Sequence, residues 1–308
     1  MQNTTKLHAV LAILFTTLFW GLSYSSTKVL LGSLLPAQIA FLRLILAALV
    51  LGVGFAFSGK AKIGRPDLPR VAAGAAFGTF LYFIFENNGL RFTTAGTGSL
   101  IIATIPVINV VAGAVLFREK NTLKRWIGVL LSFVGVYMII RFGSDGALSL
   151  ANLRGNLLVF GAACSWVAFT RINEPLMARH DSISVNLYQS GVGVLLLGLL
   201  VLPGGGVDVS VFSGTVLFNL AYLGIFCSAV AYFFYLFALQ NLGAATVTSF
   251  LNLVPVFGVI GGAIILKEAL VAGQLLGGAV VITGVSLVTM TGKPVREEES
   301  PALTLQAD

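Results

Sequence analysis

Residues 95–119, AGTGSLIIATIPVINVVAGAVLFRE, recur in weakened form 149 positions later. Ala95, Thr97, Pro106, Val107, Gly113, Ala114 and Glu119 fall on Ala244, Thr246, Pro255, Val256, Gly262, Ala263 and Glu268. The correspondence runs on through Gly128, Gly135 and Val136 to Gly277, Gly284 and Val285. Each copy is an apolar run interrupted by a proline and closed by a basic–acidic pair, Arg118-Glu119 and Lys267-Glu268. A proline inside a helix removes one donor and pushes away the carbonyl four residues earlier, here Ile102 and Leu251. In lipid such a defect is tolerated only against neighbouring helices or a wet cavity. Matching interrupted segments in two half-chains therefore point to a transporter's binding site, with Pro106 and Pro255 as helix-break or hinge positions.

Hydrophobic residues make up 57% of the chain and charged residues 10%, with mean hydropathy +0.95. Soluble domains carry about 25% charged residues, so lipid is the expected solvent. A hydrocarbon core about 30 Å thick needs roughly 20 apolar residues per helix. The apolar runs predict ten helices, at about 8–30, 35–57, 69–88, 93–117, 123–141, 154–174, 182–202, 213–238, 244–266 and 272–291. Persistent two-residue alternation is missing, which argues against a β-barrel. The first run contains Phe19-Trp20-Gly21 in place of a small-residue cleavage site, so it is expected to be retained. Cys164 and Cys227 lie in apolar runs and imply neither a disulfide framework nor a metal site.

The net charge of +7 is spread between apolar segments, which fits orientation in a membrane better than nucleic-acid binding. With the N-terminus in the cytoplasm, thirteen basic residues fall on the inner side: Lys6, Lys60, Lys62, Arg65, Arg70, Arg118, Lys120, Lys124, Arg125, Arg171, Arg179, Lys293 and Arg296. Five fall outside: Lys28, Arg91, Arg141, Arg154 and Lys267. This bias predicts an N-in, C-in chain. Five helices per copy is an odd number, so the second copy must enter the membrane inverted. The expected fold is all-α, with ten transmembrane helices as two inverted five-helix repeats. The first repeat spans 1–142 and the second 154–291, joined by a linker over 143–153 and followed by a disordered cytoplasmic tail over 292–308.

Phe19-Trp20-Gly21, Lys28, Phe41-Leu42-Arg43, Pro106 with Arg118-Glu119, and Pro255 with Lys267-Glu268 resemble the EamA-type exporters of the drug/metabolite transporter superfamily. Within them the aromatic spans look like the amino-acid exporters of the YddG type, with Trp166 echoing Trp20. The resemblance covers residues 8–291. It implies a multi-pass protein of the bacterial inner membrane that exports amino acids or similar metabolites, without a cofactor.

The candidate substrate contacts are Trp20, Tyr24, Tyr82, Glu86, Trp166, Tyr232, Tyr235 and Asn252. Thr16, Trp20, Ser23/Tyr24 and Thr27 share one face of the first helix, and Trp166, Thr170 and Asn173 one face of the sixth. Trp126, beside Lys124-Arg125, is expected at the headgroup belt, whereas Trp20 and Trp166 lie too near mid-span for that. Glu86, four residues after Tyr82, is an acid within a span, which defaults to function; the alternative is a clamp with Arg91. Ser228, Tyr232 and Tyr235 form a stripe that suits packing as well as ligand contact. Arg43 either meets a substrate carboxylate or ties helices together, and its presence across the resembling family favours the second. Asn252 precedes Pro255 and can meet a freed carbonyl or a ligand.

These residues predict a carrier that rocks two repeats around a central site and moves aromatic or neutral hydrophobic amino acids. Other metabolites (drugs, nucleotide sugars or sugar phosphates) are the alternative, although phosphate would want several arginines. An intramembrane enzyme would need a paired acid and base, and both His8 and His180 lie at span ends. A channel would call for a ring-forming charged or filter-like loop, which the sequence does not offer. The expected partners are a small molecule and the bilayer, with no nucleic acid; a monomer is compatible with the sequence.

Overall fold

The structure, a computed structural model, describes residues 2–118, 121–142 and 150–290. Expectations for Glu119, for most of the 143–153 connection and for the 292–308 tail lie outside these residues. The described residues are helical, without a strand among them. The elements join into ten rods: α1 (Gln2–Leu30), α2 (Pro36–Ser58), α3 (68–90), α4 (95–117), α5 (Leu123–Phe142), α6 (Leu150–Met177), α7 (Ser182–Val201), α8 (214–242), α9 (244–265) and α10 (Ala272–Met290). Eight of them, all but α5 and α10, carry stretches long and apolar enough to cross a membrane. Large side chains stand bare on their outer surfaces, with Phe57 88% and Ile264 74% exposed. Water would penalise so much open apolar area, and lipid does not.

Local sequence sets the ends of the rods. Pro36 opens α2, where its fixed φ suits the first turn and its missing N–H has no partner to lose. Gly59 closes α2 in the left-handed region at φ 63°. Ser213 caps α8 by accepting from the Val216 amide at 3.3 Å.

The proline segments differ from continuous kinked helices. α4 stops at Ile102, turns through Ala103 and Thr104, and restarts as Ile105–Phe117 with Pro106 as its second residue. α9 passes through a 3-10 turn, Leu251–Leu253, and restarts as Val254–Ile265 with Pro255 second. Each proline thus begins a half-helix rather than interrupting one, because the second position of a helix asks for no amide donor. Each second half is followed by a residue in the left-handed region, Arg118 at φ 53° directly after Phe117 and Lys267 at φ 55° two residues after Ile265. These two are 149 positions apart, like the prolines.

α5 and α10 pack along their length, and glycine makes the approach possible. A Cβ on Gly128 would stand 2.6 Å from the Gly284 carbonyl oxygen, and one on Gly135 would stand 2.7 Å from that of Gly277. In sequence Gly128 corresponds to Gly277 and Gly135 to Gly284. The copies are therefore cross-paired, as a two-fold axis between antiparallel helices requires.

Two features were not expected from the sequence. α3 and α8 each contain a π-helical stretch, Ala76–Leu81 and Tyr222–Val230. Both flank the largest buried cluster, which gathers side chains from α1 to α4 and from α6 to α9.

Candidate functional site

A π turn leaves carbonyls without their usual helical donors, and side chains from elsewhere in the chain supply the missing bonds here. Ser165 Oγ donates to the Phe77 carbonyl at 2.7 Å and Tyr232 Oη to that of Gly78 at 2.9 Å. In α8 the Trp20 indole N–H donates to the Cys227 carbonyl at 2.9 Å, and Asn186 donates to Ala229 at 3.0 Å. The π stretch of each half-chain thereby anchors an aromatic ring of the other, Tyr232 and Trp20.

These rings wall a cavity of ≈ 20 Å³ at the centre of the bundle, room for about one water molecule. Six of the eight residues expected at the site line it: Trp20, Tyr24, Tyr82, Glu86, Trp166 and Tyr232. Both helix breaks reach it through Ile102 and Ile105 on α4 and through Leu251 and Val254 on α9. The prolines themselves do not. Asn252 does not line it either; it points elsewhere because Leu251 and Val254 occupy the inward positions of the 3-10 turn, and its Oδ1 has no hydrogen-bond partner. Tyr235 stands behind the wall. Its hydroxyl is 2.7 Å from Thr170 Oγ1, and its ring is 5.1 Å from that of Trp166.

The aromatic walls pack on one another edge to face. Trp166, 2% exposed, has its ring 4.9 Å from Trp20, 5.1 Å from Tyr82 and 5.4 Å from Tyr232. Such pairs hold each other in fixed orientations. Trp126, by contrast, is 41% exposed on α5.

Two buried charges complete the lining. Glu86 accepts from the Tyr82 hydroxyl at 2.8 Å. The clamp with Arg91 is not formed; Arg91 is exposed and lines a different cavity, since Glu86 turns inward to Tyr82. Arg43, 2% exposed, donates from Nε to Ser228 Oγ at 2.8 Å, and its guanidinium lies 4.2 Å from the Phe83 ring centroid. Its Nη1 is buried without a hydrogen-bond partner. No ion pair joins Arg43 to Glu86, although both line the same cavity. Of the two roles expected for Arg43, the tie between helices is made through Ser228, and the side chain also lines the cavity where a substrate carboxylate would meet it. An arginine within a span was the signal that could have placed it there.

At one end of the cavity the rods are tightly closed. A Cβ on Gly21 would stand 2.8 Å from the Val254 carbonyl oxygen. Glu268 accepts from the amides of Ala95 and Gly96 at 2.8 and 3.1 Å, capping the first half of α4 from the loop after α9. At the other end Arg171 of α6 donates from Nε to Asn109 Oδ1 at 2.7 Å. Among the described residues no group of three or more His, Cys, Asp or Glu is placed to hold a metal ion.

The profile of the EamA-like transporter family matches residues 7–141 and 153–290. An uncharacterized transporter of Archaeoglobus fulgidus is 29% identical over 286 residues, covering 92% of this chain and 98% of that one. A probable terminal-alkyne amino-acid exporter of Streptantibioticus cattleyicolor is 29% identical over 296 residues, covering 95% and 97%. A solved crystal structure superposes with a TM-score of 0.68 at 17% identity, covering 92% of this chain and 99% of its own; at that identity it speaks for the fold alone. The relatives are transporters rather than enzymes, and the all-helical fold, the apolar spans and the family match together identify this chain as a membrane transporter belonging to the EamA-like transporter family.

Proposed function

We propose that the protein exports neutral amino acids, aromatic or hydrophobic ones foremost, across a bacterial inner membrane by alternating access. The observation that carries this reading is that Arg43 and Glu86 line one aromatic cavity without an ion pair between them. A zwitterion supplies a carboxylate for the free Nη1 of Arg43 and an ammonium for Glu86. Its side chain meets Trp20, Trp166 and Tyr232. Burying either charge alone is costly, and a ligand that pairs both removes that cost at once. A sugar phosphate would want a cluster of cations, and among the described residues Arg43 is the one cation in the lining. The Streptantibioticus relative, a probable amino-acid exporter, supports the same reading.

The reading takes α5 and α10 as spans as well, giving ten helices in two inverted repeats, residues 1–142 and 154–291, with both termini inside. The cross-paired glycines of α5 and α10 support the inversion. The excess of basic residues on the loops assigned inside supports the orientation. The tight end, with Gly21, Val254 and Glu268, is then the outer one, and the site is closed toward the outside.

Counterflow into proteoliposomes tests the reading with phenylalanine, phenethylamine and 3-phenylpropionate as competitors. Phenylalanine should exchange, and the two half-charged analogues should compete at least tenfold less well. In Glu86→Gln the advantage of phenylalanine over phenylpropionate should shrink. Equal competition by all three analogues, or no amino-acid flux in the parent protein, would overturn it.

A further inference from the structure

Three of the five basic residues assigned to the outer face meet at one corner of the molecule. Lys28 and Arg91 line a cavity of ≈ 230 Å³ with Thr93 and Asn156. The guanidinium of Arg154 lies 5.2 Å from the ring centroid of Phe92, in the wall of the same cavity. No acid lines it. By the same measure it is roughly ten times the size of the central cavity, and unlike that closed cavity it accepts a molecule of amino-acid size.

Lys28 is held in place. Its Nζ donates to the carbonyls of Leu90 at 3.0 Å and Thr93 at 2.9 Å, and an ammonium has three donors, so one remains. Glu268 acts on Lys28 electrostatically while its oxygens accept from the Ala95 and Gly96 amides. Its one negative charge faces the positive charges of Lys28, Arg91 and Arg154, so the described residues of the corner keep a positive excess.

Trp20, Tyr24 and Lys28 follow at four-residue spacing along one face of α1. The first two line the central cavity and the third lines the outer one. Between them Tyr24 and Leu90, both buried, meet over Gly98. The two cavities are thus consecutive along one helix face, with Tyr24 and Leu90 packed between them.

We infer that the outer cavity is an antechamber that takes the carboxylate of the substrate, held by Lys28 and Arg91, on its way between the central site and the outside. The inference rests on the zwitterion reading of the central site. Its electrostatic part can be tested without transport. Asn152→Cys, in the same cavity, is placed in a Cys164→Ser background, leaving only the buried Cys227. Labelling is then compared between an anionic and a cationic methanethiosulfonate reagent of similar size. The anionic reagent should react several-fold faster, and adding Arg91→Gln should change each rate by up to about fivefold in opposite directions, the effect of one charge near contact in water, and so lower the ratio. Arg91 is exposed, so its loss does not threaten folding. In counterflow, Arg91→Gln should raise the KM for external phenylalanine several-fold and leave the internal KM unchanged. Equal labelling by both reagents, or an unmoved ratio in Arg91→Gln, overturns the anion site even if amino acids are carried. An unmoved external KM overturns its role as a substrate station.

Discussion

Arg171 donates to Asn109 across α6 and α4 at 2.7 Å, whereas the position 149 residues after Asn109 is Gly258, which packs directly on Ser99 and against Gly21. Equivalent places in the two copies thus close by different means, a polar contact at one end and bare backbone at the other. In the alternating-access cycle proposed above the two ends exchange, so each contact would bias the balance between them. Gly258→Ala would drive a Cβ into Ser99. Overpacking costs about 1–3 kcal/mol, which shifts the balance toward an outward-open state by roughly tenfold or more. A cysteine at Ser23, on the cavity wall, should label faster from outside in Gly258→Ala and faster from inside in Asn109→Ala. Identical accessibility in both variants would remove these contacts from the gates.

Stacking on an indole is worth about 0.5–1.5 kcal/mol beyond area burial, up to roughly tenfold in affinity. Trp166→Ala should therefore slow transport of phenylalanine, tyrosine and tryptophan more than that of alanine or threonine. Trp126→Ala should change neither class selectively. Uptake per reconstituted protein distinguishes a lost platform, which is selective, from a damaged fold, which loses every substrate together.

The glycine pairs of α5 and α10 make a stability prediction. Gly284→Ala would set a Cβ 2.6 Å from the Gly128 carbonyl, and it should lower the midpoint of thermal denaturation in detergent by several degrees. Gly52→Ala, in α2 with nothing within 4 Å of the new Cβ, should hold or raise it, since alanine favours a helix by up to about 1 kcal/mol. Equal midpoints for the two variants would show that the α5–α10 contact tolerates separation.

Pro106 and Pro255 open half-helices, so removing them should leave the protein folded. Pro106→Ala and Pro255→Ala should reach near-parent expression. They should nevertheless exchange amino acids several-fold more slowly, because an amide at that place lets the two half-helices join and stiffens the break. Parent exchange rates in both variants would reduce the prolines to helix starters.

Much of the architecture was legible because lipid makes it so. Backbone groups must be satisfied within each segment, and apolar runs near 20 residues therefore become helices at almost the expected limits; the expected 69–88 is observed as 68–90. The duplicated prolines marked the two breaks that reach the cavity. The candidate site was legible in its aromatic half, since Trp20, Tyr82 and Trp166 stood out as large polar-edged rings at mid-span.

What the sequence determined by itself was the set of helices, their duplication and the spacing of rings along each face. The tertiary structure alone decided which groups share a cavity. Arg43 and Glu86 sit on different helices, and only packing brings them into one lining without pairing them. The same holds for the π turns of α3 and α8. Their freed carbonyls are affordable only because Ser165, Tyr232, Trp20 and Asn186 arrive from elsewhere in the chain to donate to them, and local periodicity carries no record of such distant donors.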